Sequence, residues 1–480
     1  MIPVLPAKAD VHLPLKARAR VFLACVVVLA VFGTVCCFVE GACAADQPNI
    51  VFILSDDQGW HQAGCYGSDF YETPNIDRLA DAGMKFTSAY AACQVCSPTR
   101  AAIMTGKYPA RLHITNYIPG SADKFPDAKL RVPEWRKYLS LQEVTVAETM
   151  KDAGYATGHF GKWHLNKDKK YKLGRPRDPG SQGFDDVLTT HKPGAGPGSR
   201  YENDAHHVRE ITESSLAFIE ENRDQPFFCY VTHNSIHRPI TERKELIAKY
   251  QAKPGSDRAD LDPILGAMME TLDKSVGEIL DKLDELELTD KTIVIFYSDN
   301  GCMWGAEVLK PLRGGKAQIW EGGIRVPLVV RWPGVVEPGS VCDVPVTSVD
   351  WFPTLLGAVG QKVTAADIDG ESILPLLAQT GGLKRDAIYW HYPHYHHQGG
   401  FPSGAIRRRN YKLIEWFEKS IDGIETPGAL QLYDLERDIS EQHDISKEQP
   451  QLTMQLYNDL KSWREKVNAQ EMRSNPLAKQ

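Results

Sequence analysis

Runs of polar residues stand where three apolar stretches stop. Asn49-Ile50-Val51-Phe52-Ile53-Leu54 is a continuous apolar, β-branched run that ends at Ser55-Asp56-Asp57, the pattern of a strand buried on both faces. Thr292-Ile293-Val294-Ile295-Phe296-Tyr297 ends the same way at Ser298-Asp299-Asn300-Gly301, and Pro226 to Val231 ends less sharply at Thr232-His233. Taken singly, Asp56-Asp57 is an ordinary polar strand end or helix cap. Beside Asp299-Asn300 it becomes part of a set of three carboxylates and a carboxamide, which repel one another unless a cation sits among them. All-oxygen ligands select a hard ion, Ca²⁺ or Mg²⁺, whereas Zn²⁺ would favour His or Cys. We expect calcium.

A second group of reactive residues surrounds Cys96. In Cys93-Gln94-Val95-Cys96-Ser97-Pro98-Thr99-Arg100-Ala101-Ala102-Ile103-Met104-Thr105-Gly106, Pro falls where a helix's first turn tolerates it and Gly closes the stretch. Cys96 is therefore expected at a helix N-terminus, where backbone N–H groups and the helix dipole favour an anion, with Arg100 four residues on along the same face. A lone Cys before a helix is more often structural than catalytic, so the flanking residues must decide. Lys162 and His164, two apart in what reads as an extended segment, are expected on one side. Lys316 follows Gly314-Gly315, a pair that lets backbone approach a ligand closely. With Arg100 these lysines supply positive charge for an oxyanion.

Cys96-Ser97-Pro98-Thr99-Arg100 matches the Cys-x-Pro-x-Arg signature of type I sulfatases, and Met104-Thr105-Gly106 continues it. Thr99 replaces the commoner Ser. The chain resembles this family, part of the alkaline phosphatase superfamily, also at Asn49 to Gly59, Thr73-Pro74-Asn75-Ile76-Asp77, Gly161-Lys162-Trp163-His164, Gly183-Phe184-Asp185, Ser298-Asp299-Asn300-Gly301 and Arg313-Gly314-Gly315-Lys316. Ile236-His237-Arg238-Pro239 fits less strictly, because Pro often precedes the family's His.

The resemblance implies a sulfuric ester hydrolase whose Cys96 is oxidised to formylglycine by a maturation enzyme. It implies that one hydroxyl of the hydrated aldehyde attacks sulfur and the other expels sulfate. The metal at Asp56, Asp57, Asp299 and Asn300 would polarise a sulfate oxygen and steady the hydrate at position 96, which makes Cys96 a metal-contacting position too. His164 would assist deprotonation, and His237 with Lys316 would stabilise or protonate the leaving oxygen. The nearest alternative is a phosphonate or phosphate ester hydrolase of the same superfamily. An alternative of another class is a secreted glycan-binding protein whose Cys96 is never converted.

The elements that must position these residues alternate along the chain. Helical stretches at Leu141 to Ala153, Glu210 to Asn222 and Ile264 to Leu286 separate the apolar runs, predicting an α/β fold with a large, mainly parallel sheet sandwiched by helices. Ligands of such sheets bind beyond the strand C-termini, where the polar runs lie. Lys170 to Asp204 is rich in Gly, Pro and charge and reads as a functional rim over the sheet. After Pro375 the composition shifts to aromatics, His and Arg. Strand-like pieces at Ala387 to His391, Tyr411 to Trp416 and Leu430 to Leu435 and a helical stretch from Leu452 to Asn468 predict a smaller α+β domain. The expected division is 1–44, 45–375 and 376–480. In His391-Tyr392-Pro393-His394-Tyr395-His396-His397 the Pro and irregular spacing favour a loop over a metal-bearing helix. His394 and Arg407 are expected to contact the hydroxyl or carboxylate groups of a sulfated carbohydrate.

Of 480 residues, 42% are hydrophobic and 24% charged, enough to bury a large core. Net charge is −7 and the longest basic run, Arg407-Arg408-Arg409, is short, which argues against a nucleic-acid partner. Lys16, Arg18 and Arg20 precede the apolar run Val21 to Val39 and Ala42-Cys43-Ala44, predicting a cleaved signal peptide and a periplasmic, extracellular or lumenal protein with no stable membrane span. Retention of that segment as an anchor is the alternative. Four of ten Cys (Cys25, Cys36, Cys37, Cys43) fall in or beside the signal. The six others are spread over a large core, so the chain is not a disulfide scaffold. With Cys96 committed to chemistry, five are left and at least one is unpaired.

Overall fold

The computed structural model describes residues 47–120, 125–166, 174–194, 196–303, 311–362 and 368–478. The expected signal segment with its four Cys, and part of the Gly/Pro-rich excursion, lie outside the described residues.

Eight strands form the main sheet: β1 (Asn49–Ser55), β2 (Met84–Phe86), β3 (Ala156–Gly161), β4 (Asp186–Thr189), β5 (Phe227–Thr232), β6 (Thr292–Ser298), β7 (Leu328–Arg331) and β8 (Ser340–Cys342). Their order is β8-β2-β7-β6-β1-β5-β3-β4. Pairing is parallel except where β7 runs antiparallel to β2 and β6.

The apolar runs are continuous because both faces of the sheet are covered. Side chains alternate along each strand. Ile50, Phe52 and Leu54 of β1, Phe228 and Tyr230 of β5, and Ile293, Ile295 and Tyr297 of β6 share one core with Ala101, Ile103 and Met104, Val146 and Met150, and Trp351 and Leu355. These last come from the helices Cys96–Thr105, Val146–Asp152 and Trp351–Ala358. Val51 and Ile53, Cys229 and Val231, and Val294 and Phe296 face the opposite core. That core is closed by Ile76 and Leu79, Ile211 and Phe218, and Val276, Ile279 and Leu283, from the helices Pro74–Asp81, Val208–Glu221 and Pro263–Glu285. Burying each large aliphatic or aromatic side chain contributes roughly 1.5–3 kcal/mol.

A second, antiparallel sheet runs β9 (Ala387–Tyr392), β10 (Ser403–Arg408), β11 (Tyr411–Trp416), β12 (Leu430–Asp434) in that order. Ile406, Leu413 and Leu432 pack on Leu456, Leu460 and Trp463 of the helix Pro450–Lys466 and on Ala102 and Tyr108. Trp390, Ala405 and Ile414, on the other face, pack on Tyr90, Ile319 and Ile324. The small sheet is thereby wedged against the segment that follows Lys316. Among the described residues no helix is long and apolar enough to cross a membrane, and Cys65, Cys93, Cys96, Cys229, Cys302 and Cys342 are all free.

Candidate active site

Strand register assembles the site. Ser55 of β1 pairs with Ser298 of β6, so Asp56-Asp57 and Asp299-Asn300 leave the sheet side by side. Gly161 of β3 pairs with Thr232 of β5, which places Lys162 next to the chain leading to His237. Cys96 is the first residue of the helix Cys96–Thr105, with Pro98 in its first turn and Gly106, at φ 67°, closing its end. The left-handed backbone there favours Gly, and a Cβ would meet Phe352 Cβ at 2.8 Å.

Single ligand atoms of Asp56, Asp57, Asp299 and Cys96 lie within 4.8 Å of one another, all four residues buried. Asn300 Nδ2 donates to Asp57 Oδ1 at 2.8 Å, which turns the carboxamide oxygen to the other side. Asp56 Oδ1, Asp57 Oδ2 and Asn300 Oδ1 are buried and have no hydrogen-bond partner. Orphaned buried oxygens are costly, and three of them beside a third carboxylate fit a hard divalent cation. Electrostatics point the same way. Burial, reinforced by the charge on Asp56, pushes Asp299 up to about 6. Burial also opposes ionisation of Asp56, but the charges of Lys162, Arg100 and Lys316 outweigh it and hold that carboxyl well below the usual range.

Two lysines bind the acidic cluster. Lys162 Nζ lies 2.5 Å from Asp56 Oδ2, and Lys316 Nζ lies 2.5 Å from Asp57 Oδ1 and 3.5 Å from Cys96 Sγ. Gly314, at φ 71°, makes the turn that brings Lys316 in. Arg100 pairs with Asp299 and donates from Nη1 to Lys162 O at 2.7 Å. It therefore braces a carboxylate, where the sequence suggested that it faces an oxyanion. Burial pushes the Cys96 thiol up to about 12 despite Lys162 and Lys316, so the unmodified side chain is a poor nucleophile near neutral pH.

Both imidazoles are neutral and their tautomers follow from their partners. His164 Nε2 lies 2.6 Å from Ile118 O, so it carries the proton, and the buried Nδ1 is an unpartnered acceptor. Burial and Lys162 hold His164 well below the ordinary value. His237 Nδ1 donates to Arg238 O at 2.7 Å, leaving the Nε2 lone pair 3.9 Å from Asp57 Oδ2. Burial and Lys316 lower His237 to about 4. Lys162 and His164 line the same pocket, but not through strand alternation. The strand ends at Gly161, and His164 has φ 59°.

A cavity of about 670 Å³ opens over Cys96, Lys162, His164, His237 and Lys316. His394 and Arg407, expected in the substrate pocket, are not among its lining residues. His394 is 1% exposed, bonds Thr115 Oγ1 at 2.8 Å and meets Trp135 edge to face. Arg407 lies on the β10 face that packs on Tyr90, Ile319 and Ile324, bonded to the Tyr90 hydroxyl and to Arg409 O. His391 bonds Gln470 O. From the same segment it is His396 and His397 that reach the cavity, stacked at 4.4 Å. Arg238, Lys192 and Met303 also line it. The signal for Lys192 was its place in the Gly/Pro-rich rim. Met303 carried none.

A mainly parallel sheet with buried carboxylates, two lysines and two neutral imidazoles beyond its strand ends fits a hydrolase of anionic esters. The sulfatase profile matches residues 48–361, and a profile described as N-sulphoglucosamine sulphohydrolase, C-terminal, matches 315–468. The chain belongs to the sulfatase family and is an enzyme that hydrolyses sulfate esters. A sulfatase of Formosa agariphila is 30% identical over 89% of this chain and 90% of its own. An N-acetylgalactosamine-6-O-sulfatase of Bacteroides thetaiotaomicron is 27% identical over 87% and 93%. The crystal structure of Ps i-CgsB in complex with k-i-k-neocarrahexaose is 26% identical, with a TM-score of 0.71, covering 87% of this chain and 93% of that one.

Proposed function

We propose that the protein removes sulfate from a sulfated carbohydrate after export, using a formylglycine made from Cys96 and a divalent cation, Ca²⁺ in preference to Mg²⁺. The observation that carries this reading is the meeting of three buried carboxylates, with orphaned oxygens between them, at a Cys whose own thiol is held protonated. The glycan-acting relatives and the size of the cavity support the carbohydrate. The basic and apolar N-terminal run supports export.

Asp56, Asp57, Asp299 and Asn300 are the residues that hold the cation, which supplies positive charge for a sulfate oxygen. A hydrated formylglycine at position 96 supplies an oxygen nucleophile and a second hydroxyl that can expel sulfate. His164 Nδ1 is the base for a proton lost in that region, with Ile118 O fixing its tautomer. Lys316, whose amine burial disfavours but Asp57 keeps protonated, is the resident proton donor for the leaving oxygen. His237, neutral with its lone pair on Nε2, accepts there and donates only once protonated. Lys162 holds Asp56, and Arg100 holds Asp299. Cys96 is 1% exposed, so the maturation enzyme acts on this segment before the fold closes around it.

The test is turnover by protein with verified formylglycine on sulfated mono- and oligosaccharides, an aryl sulfate and phenyl phosphonate. Sulfate release from a saccharide supports the reading. Activity confined to the phosphonate refutes it.

A further inference from the structure

We infer that the substrate carries a second anionic group, a carboxylate or a further sulfate, bound on the cavity wall above the scissile ester by Arg238 and Lys192. This rests on the proposed carbohydrate reading and specifies its substrate class.

The cavity divides by charge. Its base, Cys96 with Lys162, His164, His237 and Lys316, is committed to one ester group. Among the described lining residues above that base only Asp178 is acidic. Arg175 neutralises it through Nε and Nη2 at 3.0 and 2.8 Å. Lys192 and Arg238 are exposed lining residues, and neither pairs with a carboxylate among the described residues. Arg238 Nε instead rests against Met303 Sδ at 2.9 Å, a neutral partner that places the guanidinium without cancelling its charge. Burial and Arg175 lower His191, so the neighbouring imidazole adds a neutral hydrogen-bonding group.

Both cations stand on the same half of the sheet. Arg238 follows β5 and Lys192 follows β4, with β3 between those strands. The unbalanced charge therefore forms one wall and not a scatter around the rim. In a chain of net charge −7, that wall is a local reversal of sign, and it raises the local concentration of an anion as a lined cleft does. A neutral sugar bearing one sulfate leaves it unused. A sugar with a carboxylate or second sulfate directed toward β4 meets it.

The experiment compares three saccharides that differ in one substituent: a monosulfated neutral disaccharide, its uronate counterpart and its disulfated counterpart. Formylglycine-verified wild type, Arg238→Gln, Lys192→Gln and the double variant are assayed on each. The wild type is expected to prefer at least one dianionic substrate by about tenfold in kcat/KM, the yield of two partly exposed charge contacts. The preference appears mainly in KM, shrinks in each single variant, disappears in the double variant and weakens with added salt. Which substrate is preferred identifies the group. Equal kcat/KM on all three, or a preference that survives in the double variant, overturns the inference while leaving the carbohydrate reading intact. Hydrolysis of an aryl sulfate with no turnover of any saccharide overturns both.

Discussion

Arg100 and Asp299 form an ion pair with both side chains buried, Nη2 and Nε lying 2.7 and 2.8 Å from Oδ2. The helix that begins at Cys96 thus reaches across and grips the end of β6, coupling Cys96 to the carboxylate cluster. Removing one partner of such a pair leaves an uncompensated buried charge. Arg100→Ala in chelator-treated protein is expected to lose about 3–5 kcal/mol of stability. Urea unfolding measures it, and a loss below about 1 kcal/mol would mean that the carboxyl is satisfied some other way.

Calcium should stabilise the wild type and not Asp299→Ala. Binding to the native state alone contributes about 2.7 kcal/mol at a hundred times the dissociation constant, visible as a rise in Tm. Asp299→Ala should retain no metal by elemental analysis and no turnover. Full activity of metal-stripped wild type would remove the cation from the account.

His164→Ala should lower kcat by about 10²–10⁴, the usual range for a positioned base, with metal content unchanged. If kcat stays within about threefold, Nδ1 takes no proton in the reaction.

A buried cluster behind Lys316 gives a stability prediction with a definite sign. Lys412 Nζ lies 3.0 Å from Glu321 Oε1 and 2.9 Å from Glu441 Oε1, with all three side chains inaccessible. Burial, together with the charge on Glu321, raises Glu441 to about 7. An acid with a raised native pKa binds more protons folded than unfolded, so it takes stability away as pH rises from the ordinary carboxylate value toward 7. Glu441→Gln removes this dependence. The Tm difference, wild type minus variant, should therefore fall between pH 5 and pH 8. A constant or rising difference would show that Glu441 is ionised throughout.

The main sheet and the meeting of Asp56, Asp57 and Asp299 at its edge were legible in the sequence because both follow local rules. A strand buried on both faces reads as an unbroken apolar run, and its abrupt end marks where Asp56 and Asp299 emerge. Lys162 and His164 were placed on one side for the wrong reason. Alternation holds only inside a strand, and the left-handed backbone at His164 comes from tertiary packing. His394 and Arg407 failed for a related cause. A segment dense in His, Arg and aromatics reads as a binding surface, yet Arg407 is buried on Tyr90 and His394 on Thr115 and Trp135, and from the His-rich run only His396 and His397, past the end of β9, reach the cavity. Met303 and Arg238 meet across loops 65 residues apart in sequence, and no local pattern announces that contact.

Active protein is predicted to carry formylglycine at position 96, since a thiol pushed up to about 12 offers little nucleophile and no second group to expel sulfate. Peptide mapping of position 96 across preparations of differing activity tests it most directly. Specific activity is predicted to rise in proportion to the aldehyde content of the peptide spanning Cys96, and Cys96→Ser to abolish multiple turnover. Undiminished specific activity in a preparation whose position 96 is wholly unmodified cysteine would contradict it.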